Sequence, residues 1–97
     1  MNVIFRDEAA DELDWAFEHY RTIHPDLAAD LLVQFRRGVD RILTFPSAWQ
    51  PLDETYRRYR LNRFPYGIVY RVEQELIVIV AFMNLSQKPD YWRARDR

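Results

Sequence analysis

Residues 56–71 interleave cations with aromatic rings: Tyr56, Arg57, Arg58, Tyr59, Arg60, Arg63, Tyr66, Tyr70 and Arg71. Guanidinium groups bind phosphates and carboxylates through paired hydrogen bonds, and tyrosine rings stack on bases. Three uses are open to such a stretch. A metal-independent RNA-cleaving site would place cations on the scissile phosphate while another group moves protons. Arg58, Arg60 and Arg71 are the candidates for phosphate contact, with Tyr91 for proton transfer or stacking. A surface for an acidic protein ligand would use the same residue types, since Arg and Tyr are enriched at interface hot spots. The plainest use is structural, Tyr and Arg being ordinary residues of a half-exposed sheet face. No side chain here is an obvious general base.

Other chemistries find little support. His19 and His24 are the only histidines, and they lie five apart rather than four, the spacing of a helical metal pair. There is no Cys, which excludes disulfides and thiolate metal sites. Ser47 and Ser86 lack a nucleophile-elbow context, and the only glycines, Gly38 and Gly67, form no phosphate-cradling loop. Runs such as Asp7-Glu8 and Asp11-Glu12 read as the solvated face of a helix. Neither a metal nor a cofactor is expected.

The 97 residues carry a net charge of −1, divided unevenly. Residues 1–54 hold five basic and eleven acidic side chains, whereas residues 55–97 hold nine basic and four acidic. Such asymmetry points to an anionic partner for the C-terminal half, or to a basic sheet face neutralised by the acidic helices of the same molecule. The start of the chain turns polar within six residues, unlike a signal peptide. The longest apolar run, 76–83, is too short for a membrane helix. A cytoplasmic protein without membrane contact, folded as one domain over 1–97, is expected.

These groups are positioned by elements legible in the periodicity. Val3-Ile4-Phe5 reads as a strand. Ala9, Leu13, Ala16, Tyr20 and Ile23 recur at spacings of three and four, which predicts an amphipathic helix over 7–22 with Asp7 as its N-cap. Trp15 lies off that stripe and either packs under the next helix or is exposed for a partner. Pro25 opens a second helix whose apolar face is Ala28, Leu31, Leu32, Phe35, Val39, Ile42 and Leu43. Gly38 in its middle suits close contact with the first helix, and Pro46 ends it near Phe45. From Tyr56 the period becomes two: Arg57, Tyr59, Leu61 and Arg63 share one face and Arg58, Arg60 and Asn62 the other. Tyr66, Ile68, Tyr70 and Val72 follow in alternation, Glu73-Gln74-Glu75 is a hairpin connection, and residues 76–82 suit a strand covered on both faces. The fold class is α+β: an N-terminal strand and two-helix hairpin packed on a small, largely antiparallel β-sheet, with a short C-terminal helix or tail anchored by Tyr91 and Trp92.

Three segments carry a resemblance. Arg63-Phe64-Pro65-Tyr66-Gly67-Ile68-Val69-Tyr70-Arg71-Val72 resembles the RFPY-x-I-x-YRV stretch of RelE/ParE-family toxins. Pro89-Asp90-Tyr91-Trp92-Arg93-Ala94-Arg95 resembles their C-terminal P-x-x-W-x-x-R signature, and 77–82 resembles their last core strand. The resemblance implies a toxin of a bacterial type II toxin–antitoxin system, cytoplasmic, of a kind that serves plasmid stabilisation. It also implies neutralisation in a hetero-oligomer by an antitoxin encoded beside it. Relatives of RelE type cleave messenger RNA on the ribosome, and those of ParE type inhibit DNA gyrase. One departure favours the second kind: Asn84 stands where many relatives carry His, and Asn cannot act as a titrating acid or base. A pI near 6.1 also suits ribosomal RNA poorly. A toxin that binds a protein such as gyrase is therefore the leading expectation, ahead of a metal-independent mRNA endoribonuclease and of a degenerate module that only binds antitoxin. Its partner-binding residues would be Arg57, Arg60, Arg63, Tyr66, Tyr70 and Trp92.

Overall fold

The computed structural model describes residues 1–96. Strand β1 (Asn2–Phe5) leads into helix α1 (Asp7–Ile23), and α2 (Pro25–Thr44) returns beside it. His24 makes the corner. It ends α1 through its own N–H to Tyr20 O, and its ring Nδ1 accepts from the Asp26 N–H at 3.1 Å to cap α2. Arg6, not Asp7, holds the N-cap position of α1, and no side chain caps it. Asp7 and Glu8 instead occupy the first turn, where carboxylates complement the helix dipole.

The remaining strands are β2 (Gln50–Pro51), β3 (Tyr56–Arg60), β4 (Tyr66–Glu73) and β5 (Leu76–Asn84), followed by a 3-10 turn at Arg93–Arg95. They form one sheet in the order β1-β5-β4-β3-β2, antiparallel except that β1 runs parallel to β5. The alternation expected to continue to Arg63 stops at Arg60. Arg63 takes a left-handed conformation (φ 74°) in the connection to β4, and its guanidinium meets Asp30 of α2 at 2.7 Å.

The helices cover one face of the sheet, where Tyr59, Tyr66, Ile68, Tyr70, Ile77, Ile79 and Phe82 meet Ala9, Ala16, Leu31 and Ile42. The other face is closed by the C-terminal segment, whose Trp92 is fully buried against Val69, Val78, Val80, Ala81 and Met83. This explains why β5 is apolar on both sides. A register shift reconciles the two faces: Val69 pairs with Ala81 but Tyr70 with Ile79, so Val80 is an extra residue. Ile77 and Ile79 face the helices, Val80 and Ala81 both face Trp92, and Phe82 returns to the helices.

Gly38 is required by the sheet rather than by α1. A Cβ there would lie 2.8 Å from Tyr59 Cε1 and 2.9 Å from Ile68 Cδ1. Its absence lets α2 settle onto β3 and β4.

Candidate functional site

The tyrosines expected at a contact surface are mostly pillars of the core. Tyr66 is buried, stacked on Phe82 with ring centroids 4.7 Å apart. Tyr70 is fully buried and donates to Pro46 O at 2.6 Å, and burial pushes its phenol up to about 12. Trp92 packs edge-on against Tyr56 at 4.7 Å. Tyr70 and Trp92 are closed to a surface partner in this fold, whereas Tyr66, 5% exposed, lines a groove of about 380 Å³ with Glu12, Trp15, Phe82, Asn84 and Gln87. The period-two pattern puts Tyr66 and Tyr70 on the correct strand, but both faces of the sheet are covered, so inward positions are core positions.

The arginines divide into two groups. Arg71 and Arg63 are used internally. Arg71 Nε lies 2.8 Å from Asp96 Oδ2, and Arg71 also pairs with Glu73. The hydrogen bonds it donates to Asp96 and Glu73 hold its guanidinium above the ordinary arginine range. By contrast, Arg36, Arg37, Arg41, Arg57, Arg58 and Arg60 make no ion pair among the described residues. Arg57 Nη1 donates to Trp49 O at 2.8 Å, Arg58 Nη2 to Gln50 Oε1 at 3.1 Å and Arg41 Nη1 to Tyr59 Oη at 2.8 Å. Arg60 is exposed. Arg41, Arg58 and Arg60 line a groove of about 430 Å³ with Trp49, Gln50, Tyr59, Leu61 and Asn62.

Two carboxylates tie the C-terminal segment down, and neither stands out in the sequence. Asp96, its side chain 1% exposed, accepts from Arg6 Nη2 (3.0 Å), Tyr56 Oη (2.6 Å) and Arg71 Nε. Burial pushes this carboxyl up, but the bonds from Arg71 and Tyr56 outweigh that and hold it below the usual range. Glu12 of α1 accepts from Tyr91 Oη, Arg95 Nη2 and the Phe82 N–H. Arg95 Nη2 also donates to Val80 O, the carbonyl of the extra residue in β5. Burial, and then the bond to Glu12, push the Tyr91 phenol well above its ordinary value. Of the four residues expected for RNA cleavage, Arg71 and Tyr91 are therefore committed to internal contacts. Neither lines the groove that holds Arg58 and Arg60.

A second candidate surface lies on the helices. The run Leu31-Leu32-Val33 is wider than one apolar stripe. Leu31 is core, whereas Leu32 is 40% and Val33 46% exposed. Leu32, with Leu13, Phe35, Arg36 and Val39, lines a shallow groove of about 340 Å³ along the hairpin, bordered by Arg37 and Asp40. Trp15 is exposed, stacked on His19 with centroids 5.9 Å apart. Among the described residues no group of three or more His, Cys, Asp or Glu could hold a metal, and no helix is long and apolar enough to cross a membrane.

The helix-hairpin and sheet arrangement recurs in solved structures. A chain of the chromosomal ParDE TA system from P. aeruginosa superposes with a TM-score of 0.74 at 22% identity, over 87% of this chain and 95% of that one. The Toxin ParE2 proteins of two Mycobacterium tuberculosis strains, CDC 1551 / Oshkosh and ATCC 25618 / H37Rv, are each 35% identical over 81 residues. Those alignments span 82% of this chain and 77% of each relative. Residues 3–89 match the family described as ParE toxin of type II toxin-antitoxin system, parDE. The chain belongs to that family, the ParE toxins of type II toxin–antitoxin systems.

Proposed function

We propose that this toxin is neutralised by a cognate antitoxin seated on the helical hairpin, and that it acts by binding a protein target, DNA gyrase, rather than by cutting RNA. The observation that carries the antitoxin half is the groove formed by Leu13, Leu32, Phe35, Arg36 and Val39. Its floor is apolar, and Arg36 and Arg37 beside it have no acidic partner among the described residues. An amphipathic helix with acidic flanks fits that combination. The family membership and the ParDE likeness support such a partner. The target half rests on chemistry. Tyr91 Oη is bonded to Glu12, Arg71 is paired with Asp96 and Glu73, and Asn84 Oδ1 accepts from Ser86 N and Oγ. No histidine or carboxylate lines the groove that holds Arg58 and Arg60, and its one phenol, Tyr59, accepts a hydrogen bond from Arg41. The reading places the pair in the bacterial cytoplasm, with plasmid stabilisation as its physiological use.

The test is to induce the chain with and without the protein encoded beside it, following growth, transcript integrity and plasmid supercoiling, with a gyrase assay on the purified toxin. Growth arrest with intact transcripts and inhibited supercoiling, relieved by the partner, is the expected result. Rapid transcript cleavage would replace gyrase with the mRNA endoribonuclease reading. A stable complex with no growth effect would identify a non-toxic binding module.

A further inference from the structure

Helix α1 presents a further surface, on the side away from the hairpin groove. Its 17 residues carry six carboxylates against one arginine. Asp11, Asp14 and Glu18 follow one another at helical spacing and form a row along its exposed side. Asp11 and Asp14 make no ion pair among the described residues. Trp15 stands beside this row, 70% exposed, with His19 stacked on its ring. Trp15 also lines the groove of about 380 Å³ that contains the stacked rings of Tyr66 and Phe82. Glu12 at that groove already accepts from Tyr91, Arg95 and the Phe82 N–H, so the open negative charge lies outside it, along the row. An exposed indole set between an apolar groove and unpaired carboxylates marks an interaction surface, and the carboxylates select the sign of the partner.

We propose that, granted the target-binding reading on which this rests, the surface around Trp15 is where the toxin grips its target, and that the occupant is a basic segment of that protein. An arginine of the segment answers all three features at once. Its guanidinium lies over the indole in a cation–π contact, and its aliphatic stem covers the apolar groove. Neighbouring cations of the segment meet Asp11 and Asp14. The same carboxylates repel phosphates, so a nucleic acid is a poor occupant. Leu13, which lines the hairpin groove, projects from α1 roughly 160° away from Trp15. Changes at Trp15 therefore probe the target without altering the apolar floor assigned to the antitoxin.

The test uses the full-length toxin, purified gyrase as the probe and the protein encoded by the adjacent reading frame. Trp15, Asp11 and Asp14 are exposed, so Trp15→Ala, and Asp11→Lys combined with Asp14→Lys, should keep the fold, which their melting temperatures verify. Trp15→Ala should bind gyrase about 10- to 100-fold more weakly than the wild type. The double reversal should bind about 10-fold more weakly at low salt, with a flatter dependence on salt. Inhibition of supercoiling should fall in step, while both variants bind the adjacent-frame protein within twofold of the wild type. Gyrase binding within twofold by Trp15→Ala overturns the surface, and within twofold by the double reversal it overturns the basic occupant; neither result touches the target reading. Equal loss of gyrase and adjacent-frame binding overturns the assignment of this face to the target. A wild-type toxin that does not bind gyrase overturns the target reading and this inference together.

Discussion

Arg71 Nε and Asp96 Oδ2 lie 2.8 Å apart, joining the middle of β4 to the end of the described chain. With Tyr56 and Arg6 on the same carboxylate, this contact holds the segment that lays Trp92 over the sheet. Replacing Asp96 by Ala removes the acceptor shared by Arg71 Nε, Arg6 Nη2 and Tyr56 Oη, while Arg71 keeps Glu73. It should cost about 2–4 kcal/mol, toward the low end because Arg71 and Arg6 are partly hydrated. Urea denaturation read by tryptophan fluorescence measures this, and an unchanged midpoint would show that the contact contributes nothing.

The same carboxylate sets an acid limit. Its folded pKa lies below the ordinary carboxylate value of 3.8, so it releases its proton more readily folded than unfolded. Its stabilising contribution is therefore fully present above about pH 4 and is lost as the pH falls through the depressed folded value. The melting temperature of the wild type should drop more steeply than that of Asp96→Asn below pH 4, and the two should run parallel between pH 5 and 7. Parallel curves throughout would contradict the linkage.

Gly38 decides between two opposed effects. Gly→Ala inside a helix ordinarily stabilises by up to about 1 kcal/mol. Here the added methyl would sit 2.8 Å from Tyr59 and 2.9 Å from Ile68, both buried with little room to move. Overpacking of this kind costs about 1–3 kcal/mol. Gly38→Ala should therefore destabilise, and a raised melting temperature would show that α2 can shift away from the sheet.

The helices were readable because Ala9, Leu13 and Ala16, then Leu31, Phe35 and Ile42, keep strict helical spacing and remain core-facing in the fold. The strands were readable from the change of period at Tyr56. The contact surface was less so, for a physical reason. Period two says which residues share a face but not whether that face is covered, and here Trp92 covers the second one. Tyr66, Tyr70 and Trp92 thus moved from surface to core. Asp96 escaped notice, and Glu12 read as part of a solvated helix face, because their partners are 25 to 90 positions away, a distance no local pattern records. The overflow of the apolar stripe at Leu32 and Val33 was the one visible sign of the hairpin groove.

Tyr91 separates binding from catalysis. Its hydroxyl donates to Glu12, and its phenol is held far from neutral titration. If the toxin acts by binding, Tyr91→Phe should leave growth inhibition within about twofold at matched protein levels. Loss of one partly buried hydrogen bond should lower stability by about 1 kcal/mol. Retained stability with abolished toxicity would instead assign Tyr91 a chemical role.

Leu32 and Val33 offer the most direct probe of the antitoxin surface. Both are about half exposed, so Leu32→Glu should change stability by less than about 1 kcal/mol. In a complex the same carboxylate would be buried in an apolar contact without a partner, at a cost of about 2 kcal/mol or more, some 30-fold in affinity. Arg36 nearby could absorb part of this, so Val33→Arg, which adds like charge beside Arg36 and Arg37, serves as the second variant. The expected phenotype is a toxin that folds normally and is no longer silenced by a co-expressed antitoxin. Wild-type neutralisation of both variants would move the antitoxin off this face of the hairpin.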